Sequence, residues 1–253
     1  MIGNRLRVFL WILFSLSLGT ALGKDNPSAL PVSGNTRQVA PLQGTEPARL
    51  SPQVVESFEK AVKLQKSGEL EASAELYKRI LAESPHLPEA ENNLAMIYQA
   101  LGRTDLARRE YEEVLRFEPG LETALNNYAT LLYSLGEFAR AQQTWEKATL
   151  ANPFDSSYWF NLSLSRVRTG QVGKALAALQ QVIKLSPRHS LAYYVMGILK
   201  REHGDMQGAL EAYREHLLVS ADQTSNVYAK ARAQTAELRI LLGLPSSEAP
   251  SQP

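Results

Sequence analysis

Asn93-Leu94-Ala95, followed by Tyr98, Gly102, Ala107, Tyr111 and Pro119, is the stretch of this 253-residue chain that decides its fold. Gly102 suits the left-handed residue that ends one helix, and Pro119 stops a second helix because proline cannot continue one. Moving outward in steps of 34 residues repeats the pattern. Gly68, Gly102, Gly136, Gly170 and Gly204 keep that spacing without slippage, and Pro85, Pro119, Pro153 and Pro187 follow the first four glycines by 17 residues. Ala221 stands in the fifth proline place. The gaps between these marks are about 14 residues, the length of an ordinary helix.

The columns between the marks carry packing chemistry. Seven places before each glycine stand Ala61, Ala95, Ala129, Ser163 and Gly197. Five places after it stand Ser73, Ala107, Ala141, Ala175 and Ala209, and nine places after it Tyr77, Tyr111, Trp145, Leu179 and Tyr213. Small residues let two antiparallel helices approach, and the bulky column fills their wider end. Each unit is thus a helical hairpin that must stack on neighbours to bury its second face.

This 34-residue small/small/aromatic/proline pattern resembles the tetratricopeptide repeat over residues 54–221. The resemblance implies an all-α fold, a right-handed α-solenoid of repeats at 54–87, 88–121, 122–155, 156–189 and 190–221. Lys60 and Ser57, Arg166 and Lys200, and His216 with Ala221 depart from the family pattern and predict weaker packing at the edges. Beyond the repeats, Val227, Ala231, Leu238 and Leu241/Leu242 form an apolar stripe at helical spacing. Residues 222–243 therefore read as a capping helix ended by Gly243 and Pro245, and 244–253 as an unstructured tail.

In this family the first helices line a concave face that commonly binds peptide segments. The column nine places before the glycine faces that groove and reads Glu59, Asn93, Asn127, Asn161 and Val195. The three asparagines resemble the ladder that some members use to hold an extended backbone. A primary amide both donates and accepts, so it pairs with a peptide group whatever the ligand's side chain. Water is the competing partner for such amides. One place earlier stand Asn92, Asn126, Phe160 and Tyr194; three places after the ladder stand Met96, Thr130, Leu164 and Ile198. The groove so read passes from amide-rich to apolar, and its ligand from a polar stretch to aliphatic or aromatic anchors. Leu164 and Ile198 equally suit packing between helices, and Arg168 and Arg201 suit solvent as well as an acidic ligand group.

The chain's ends read differently. Arg5 and Arg7 precede an apolar run over 8–18, and Ala21-Leu22-Gly23 supplies small residues for cleavage, so 1–23 reads as a signal peptide. Left uncleaved, the same segment is a membrane anchor. Residues 24–50, with four prolines, read as a disordered linker. The expected location is periplasmic or secreted, with an inner-membrane anchor facing the periplasm as the alternative.

Composition excludes several classes. With 27 Lys+Arg against 26 Asp+Glu, the net charge of +1 gives no footprint for nucleic acid. Absence of cysteine removes disulfides, thiolate metal sites and iron–sulfur clusters. The four histidines match no ligand motif, and no phosphate loop or nucleophile elbow occurs. Asn161-Leu162-Ser163 matches a glycosylation sequon but falls mid-helix. The expectation is a non-enzymatic scaffold or adaptor without cofactor or metal, binding a protein or peptide partner. Its alternative is an anchored accessory subunit of an envelope assembly, secretion or polysaccharide export complex.

Overall fold

The computed structural model describes residues 50–245. The segment 1–23 read as a signal peptide, residues 24–49 of the expected linker and 246–253 of the expected tail lie outside the described residues. Two compact units divide the chain, one within Gly34–Pro153 and the other containing Phe154–Pro253. Among the described residues every regular element is a helix, eleven in all.

The first unit holds three hairpins: α1 (Pro52–Ser67) with α2 (Leu70–Glu83), α3 (Pro88–Ala100) with α4 (Thr104–Phe117), and α5 (Glu122–Ser134) with α6 (Phe138–Ala151). Each helix packs on its hairpin partner, and α2 on α3, α4 on α5 and α3 on α5 join successive hairpins. The second unit holds α7 (Ser156–Arg168) with α8 (Val172–Leu185), α9 (Ser190–Glu202) with α10 (Met206–Val219), and then α11 (Asn226–Leu241) against α10.

Local chemistry sets these boundaries. Gly102 has φ +71°, and the bonds Gly102 N–H to Gln99 O (3.1 Å) and Arg103 N–H to Tyr98 O (2.8 Å) close the end of α3. The other four periodic glycines share positive φ, between +75° and +86°. The second helices α2, α4, α6 and α8 end two residues before their prolines. α10 ends at the equivalent place without one, its cap Ser220 turning extended at φ −70°, ψ 121°.

The small and bulky columns meet inside each hairpin. Tyr77, Tyr111, Trp145, Leu179 and Tyr213 are buried, as are all ten small residues opposite them. Ser73 adds a bond of its own, donating from Oγ to Ala61 O at 2.7 Å across the first hairpin. At Gly197 the approach is closest: an added Cβ would lie 2.7 Å from the Tyr213 ring.

Two expectations about weak edges need revision. His216 does not loosen the last repeat. It is buried, its Nδ1 lies 2.9 Å from Ser190 O at the start of α9, and its ring sits 5.3 Å from that of Tyr194. Burial lowers its pKa, so the neutral ring serves as a polar tie in the core. Arg166 likewise finds work, donating from Nη1 to Lys174 O at 3.2 Å.

Candidate functional site

The amide column lies on α3 and α5, which pack on one another. Its side chains are turned inward. Asn93 Nδ2 donates to Tyr77 Oη at 3.1 Å, so the bulky column's polar tip claims this amide. Asn127 Nδ2 donates to Asn92 Oδ1 at 3.1 Å, joining the second repeat to the third. Trp145 Nε1 donates to Asn126 Oδ1 at 3.0 Å. Asn92 and Asn93 have no exposed surface, and Asn126 and Asn127 are 6% and 7% exposed.

A ladder of free groove amides therefore gives way, in this unit, to a buried network. Its physical reason is that a buried amide left unpaired costs about 1–3 kcal/mol, and aromatic O–H and N–H groups stand within reach. Exposed Glu59, at the ladder's first place, lies outside that network. Met96 and Thr130 are half-buried, as are Gln99 on α3 and Thr123 and Ser134 on α5; Ala100 is exposed. Thr130 Oγ1 donates to Asn126 O at 2.8 Å. The strip that reaches solvent is thus small, mixed in polarity and underlain by fixed amides. Gln99, Thr123 and Ser134 were missed by column reading. They lie on the same helix rows as Met96 and Thr130 at i+3 or i+4 offsets, or seven before, which is the signal that finds them.

The second unit presents the remaining expected residues. Phe160 and Asn161 have no exposed surface, and Tyr194 is buried. The Phe160 ring packs on His189 at 4.8 Å, and Tyr194 on Tyr213 at 5.8 Å. Leu164 is buried, while Ile198 is half-buried against the cluster of Tyr194, Leu210, Tyr213 and Leu238. These aromatic side chains fill the core of their hairpins, where an apolar ligand anchor would otherwise be read. Arg201 is held by α11: its guanidinium bonds Gln234 Oε1 and meets Glu237 Oε1 at 2.9 Å.

Charges in the first unit are organised rather than scattered. Arg108 forms a two-pronged pair with Glu137, and Arg140 Nη1 adds a 2.6 Å contact to the same carboxylate. The Arg108 hydrogen bond, then that of Arg140, holds the Glu137 carboxyl at about 2. These contacts bind α4 to the α5–α6 turn and to the start of α6. Glu91 on α3 is the opposite case. It is 5% exposed, its Oε2 has no hydrogen-bond partner, and its Oε1 lies 3.7 Å from His86 Nδ1. Burial, then the charges of Glu110 and Glu113, raise its pKa to about 7.

An open depression of about 450 Å³ is lined by Glu118, Gly120, Leu121, Glu122, Ala151 and Asn152, none of them an expected site residue. Among the described residues no group of three or more His, Asp or Glu is placed to hold a metal ion, and no helix is long and apolar enough to cross a membrane.

Models of the tetratricopeptide repeat match residues 64–120, 102–163 and 161–226. The chain belongs to the tetratricopeptide repeat family. Several solved structures share its fold. MamA 41-end from Desulfovibrio magneticus RS-1 is 18% identical with a TM-score of 0.63, covering 69% of this chain and 99% of that one. YrrB, described as a TPR protein with an unusual peptide-binding site, is 19% identical with a TM-score of 0.61, covering 71% and 92%. PilW, described as a widely conserved type IV pilus biogenesis factor, is 20% identical with a TM-score of 0.62, covering 77% and 88%. At these identities the likeness is one of fold. No curated protein sequence matches the chain.

Proposed function

We propose that this protein is an exported, non-catalytic interaction scaffold that holds an extended peptide or a partner helix along its first helices. The observation that carries the reading is the strip of Met96, Gln99, Thr123, Thr130 and Ser134, half-buried side chains above an amide network already fixed by internal bonds. Such a floor is pre-organised, so a ligand pays little to order it. Peptide recognition by a fixed surface with adaptable small polar groups is a common use of helical arrays. The test is affinity capture from native extract with the full chain beside a Met96→Arg/Thr130→Arg variant. Met96→Arg removes the 3.8 Å contact of Asn92 Nδ2 with Met96 Sδ, whereas the Asn127–Asn92 and Trp145–Asn126 bonds remain, and circular dichroism of the two chains should coincide. Loss of specific partners from the variant supports the strip, and equal capture by both overturns it.

A second reading is an accessory subunit of an envelope assembly, tethered through an uncleaved residues 8–23. The fold shared with PilW and the apolar run over 8–18 favour it. N-terminal sequencing of the protein from its native cells separates the two: a start at Lys24 supports a free exported protein, and retained Met1 supports the tether.

A further inference from the structure

The far face of α11 departs from what the end of a helical array requires. Terminal elements keep arrays soluble by presenting a polar outer face. α11 buries Ala231 and Leu238, with half-buried Val227 and Leu242 beside them, on its inner side. Its outer side presents exposed Asn226, Ala229, Ala233 and Ala236, with Ile240 at 72% and, just beyond the helix, Leu244 at 40% exposure. The outer positions 226, 229, 233, 236, 240 and 243 follow the alternating three-and-four spacing of a coiled-coil seam. Arg232 flanks this seam on one side and Glu237 on the other, five residues apart. Among the described residues Arg232 has no ion-pair partner. Glu237 is 47% exposed, with Oε1 held by Arg201.

From this geometry we propose that α11 is the contact surface of a parallel homodimer, formed by the α11 helices of two copies of this chain about a shared twofold axis. In that arrangement the residue just before a seam position meets the residue five further along the other helix. Arg232 of each copy then meets Glu237 of the other, giving two symmetric ion pairs from one surface. A twofold contact must be self-complementary in this way. The alanines let the two helices approach, and Ile240 of one copy packs on Ile240 of the other. An antiparallel pairing places Arg232 on the same flank as Arg232 of the second copy, and Glu237 likewise with Glu237, so the charges favour the parallel form.

The absence of cysteine makes the test direct, since one introduced cysteine reports only its own contact. Sedimentation of the purified full chain should show a concentration-dependent monomer–dimer equilibrium. Arg232→Glu and Glu237→Arg should each weaken it roughly fivefold to tenfold, while the double exchange in one chain restores it. Ile240→Arg should abolish it, with helicity unchanged because the residue faces outward. Ala229→Cys should cross-link to itself through a short bismaleimide. In the antiparallel form position 229 lies opposite 240, about 16 Å from its own counterpart, and only a mixture with Ile240→Cys would link. A monomer at every concentration, failure of the double exchange to restore association, or linking only between 229 and 240 would each overturn the proposal.

Discussion

Glu91 is a buried carboxylate that the fold tolerates rather than uses, and replacing it should stabilise the protein above neutral pH. In the folded chain its pKa stands at about 7 against an ordinary value of 4.5. The groups facing it are His86 in the preceding turn, Glu110, Glu113 and Arg116 on α4, and Glu118 just beyond. Because the folded value is raised, the folded state holds its proton where the unfolded state has released it. Stability is therefore fully present below about pH 4.5 and declines as pH rises, reaching its full loss above about 7. A shift of this size corresponds to roughly 3 kcal/mol, the 1.36 kcal/mol per unit applied across the interval. Glu91→Gln keeps the shape and removes the charge, but its buried amide costs about 1 kcal/mol for imperfect pairing. The expected net is a gain of about 2 kcal/mol at pH 8 and a small loss at pH 4.5. Urea denaturation of both chains at the two pH values reads this as opposite shifts of midpoint. A variant that is destabilised equally at both would refute the reasoning, because removing the carboxylate would then bring no gain at pH 8.

Three further outcomes follow from the packing. Asn127→Ala strands Asn92 Oδ1 in the interior and should cost about 1–3 kcal/mol in denaturant titrations, more than the loss of one solvated amide. Gly197→Ala drives a methyl group into the Tyr213 ring, so a loss of about 1–3 kcal/mol is expected, and the double change with Tyr213→Leu should recover part of it. Gly136→Ala meets no neighbouring atom, yet φ +79° penalises any side chain, and a lower melting temperature equivalent to about 1 kcal/mol should result.

The hairpins were legible because their signals are local. A glycine at positive φ is required by the turn itself, and the helix on either side follows from what flanks it. The small and bulky columns then identify facing helices, as the contact of Gly197 with Tyr213 illustrates. The amide column was less legible because neighbouring asparagines go to different elements. Asn93 reaches back 16 residues to Tyr77, whereas Asn92 meets Asn127, 35 residues on and one column out of register. Reading by repeat compares like positions 34 apart and passes over that bond. His216 shows the same limit: it departs from the repeat pattern, and the backbone carbonyl that rescues it carries no sequence signal. The outer face of α11 is hidden differently, because alanine occupies its buried side at Ala231 and its exposed side at Ala229, Ala233 and Ala236.

The central claim is that the Met96–Thr130 strip is where a partner lies. Site-specific photo-cross-linking in the native cell tests it most directly, with a benzophenone side chain placed at Thr130 in one chain and at exposed Arg109 on α4 in another. The account predicts a discrete protein adduct from position 130 and none of the same mass from 109. The reverse pattern, or the same adduct from both positions, would contradict it.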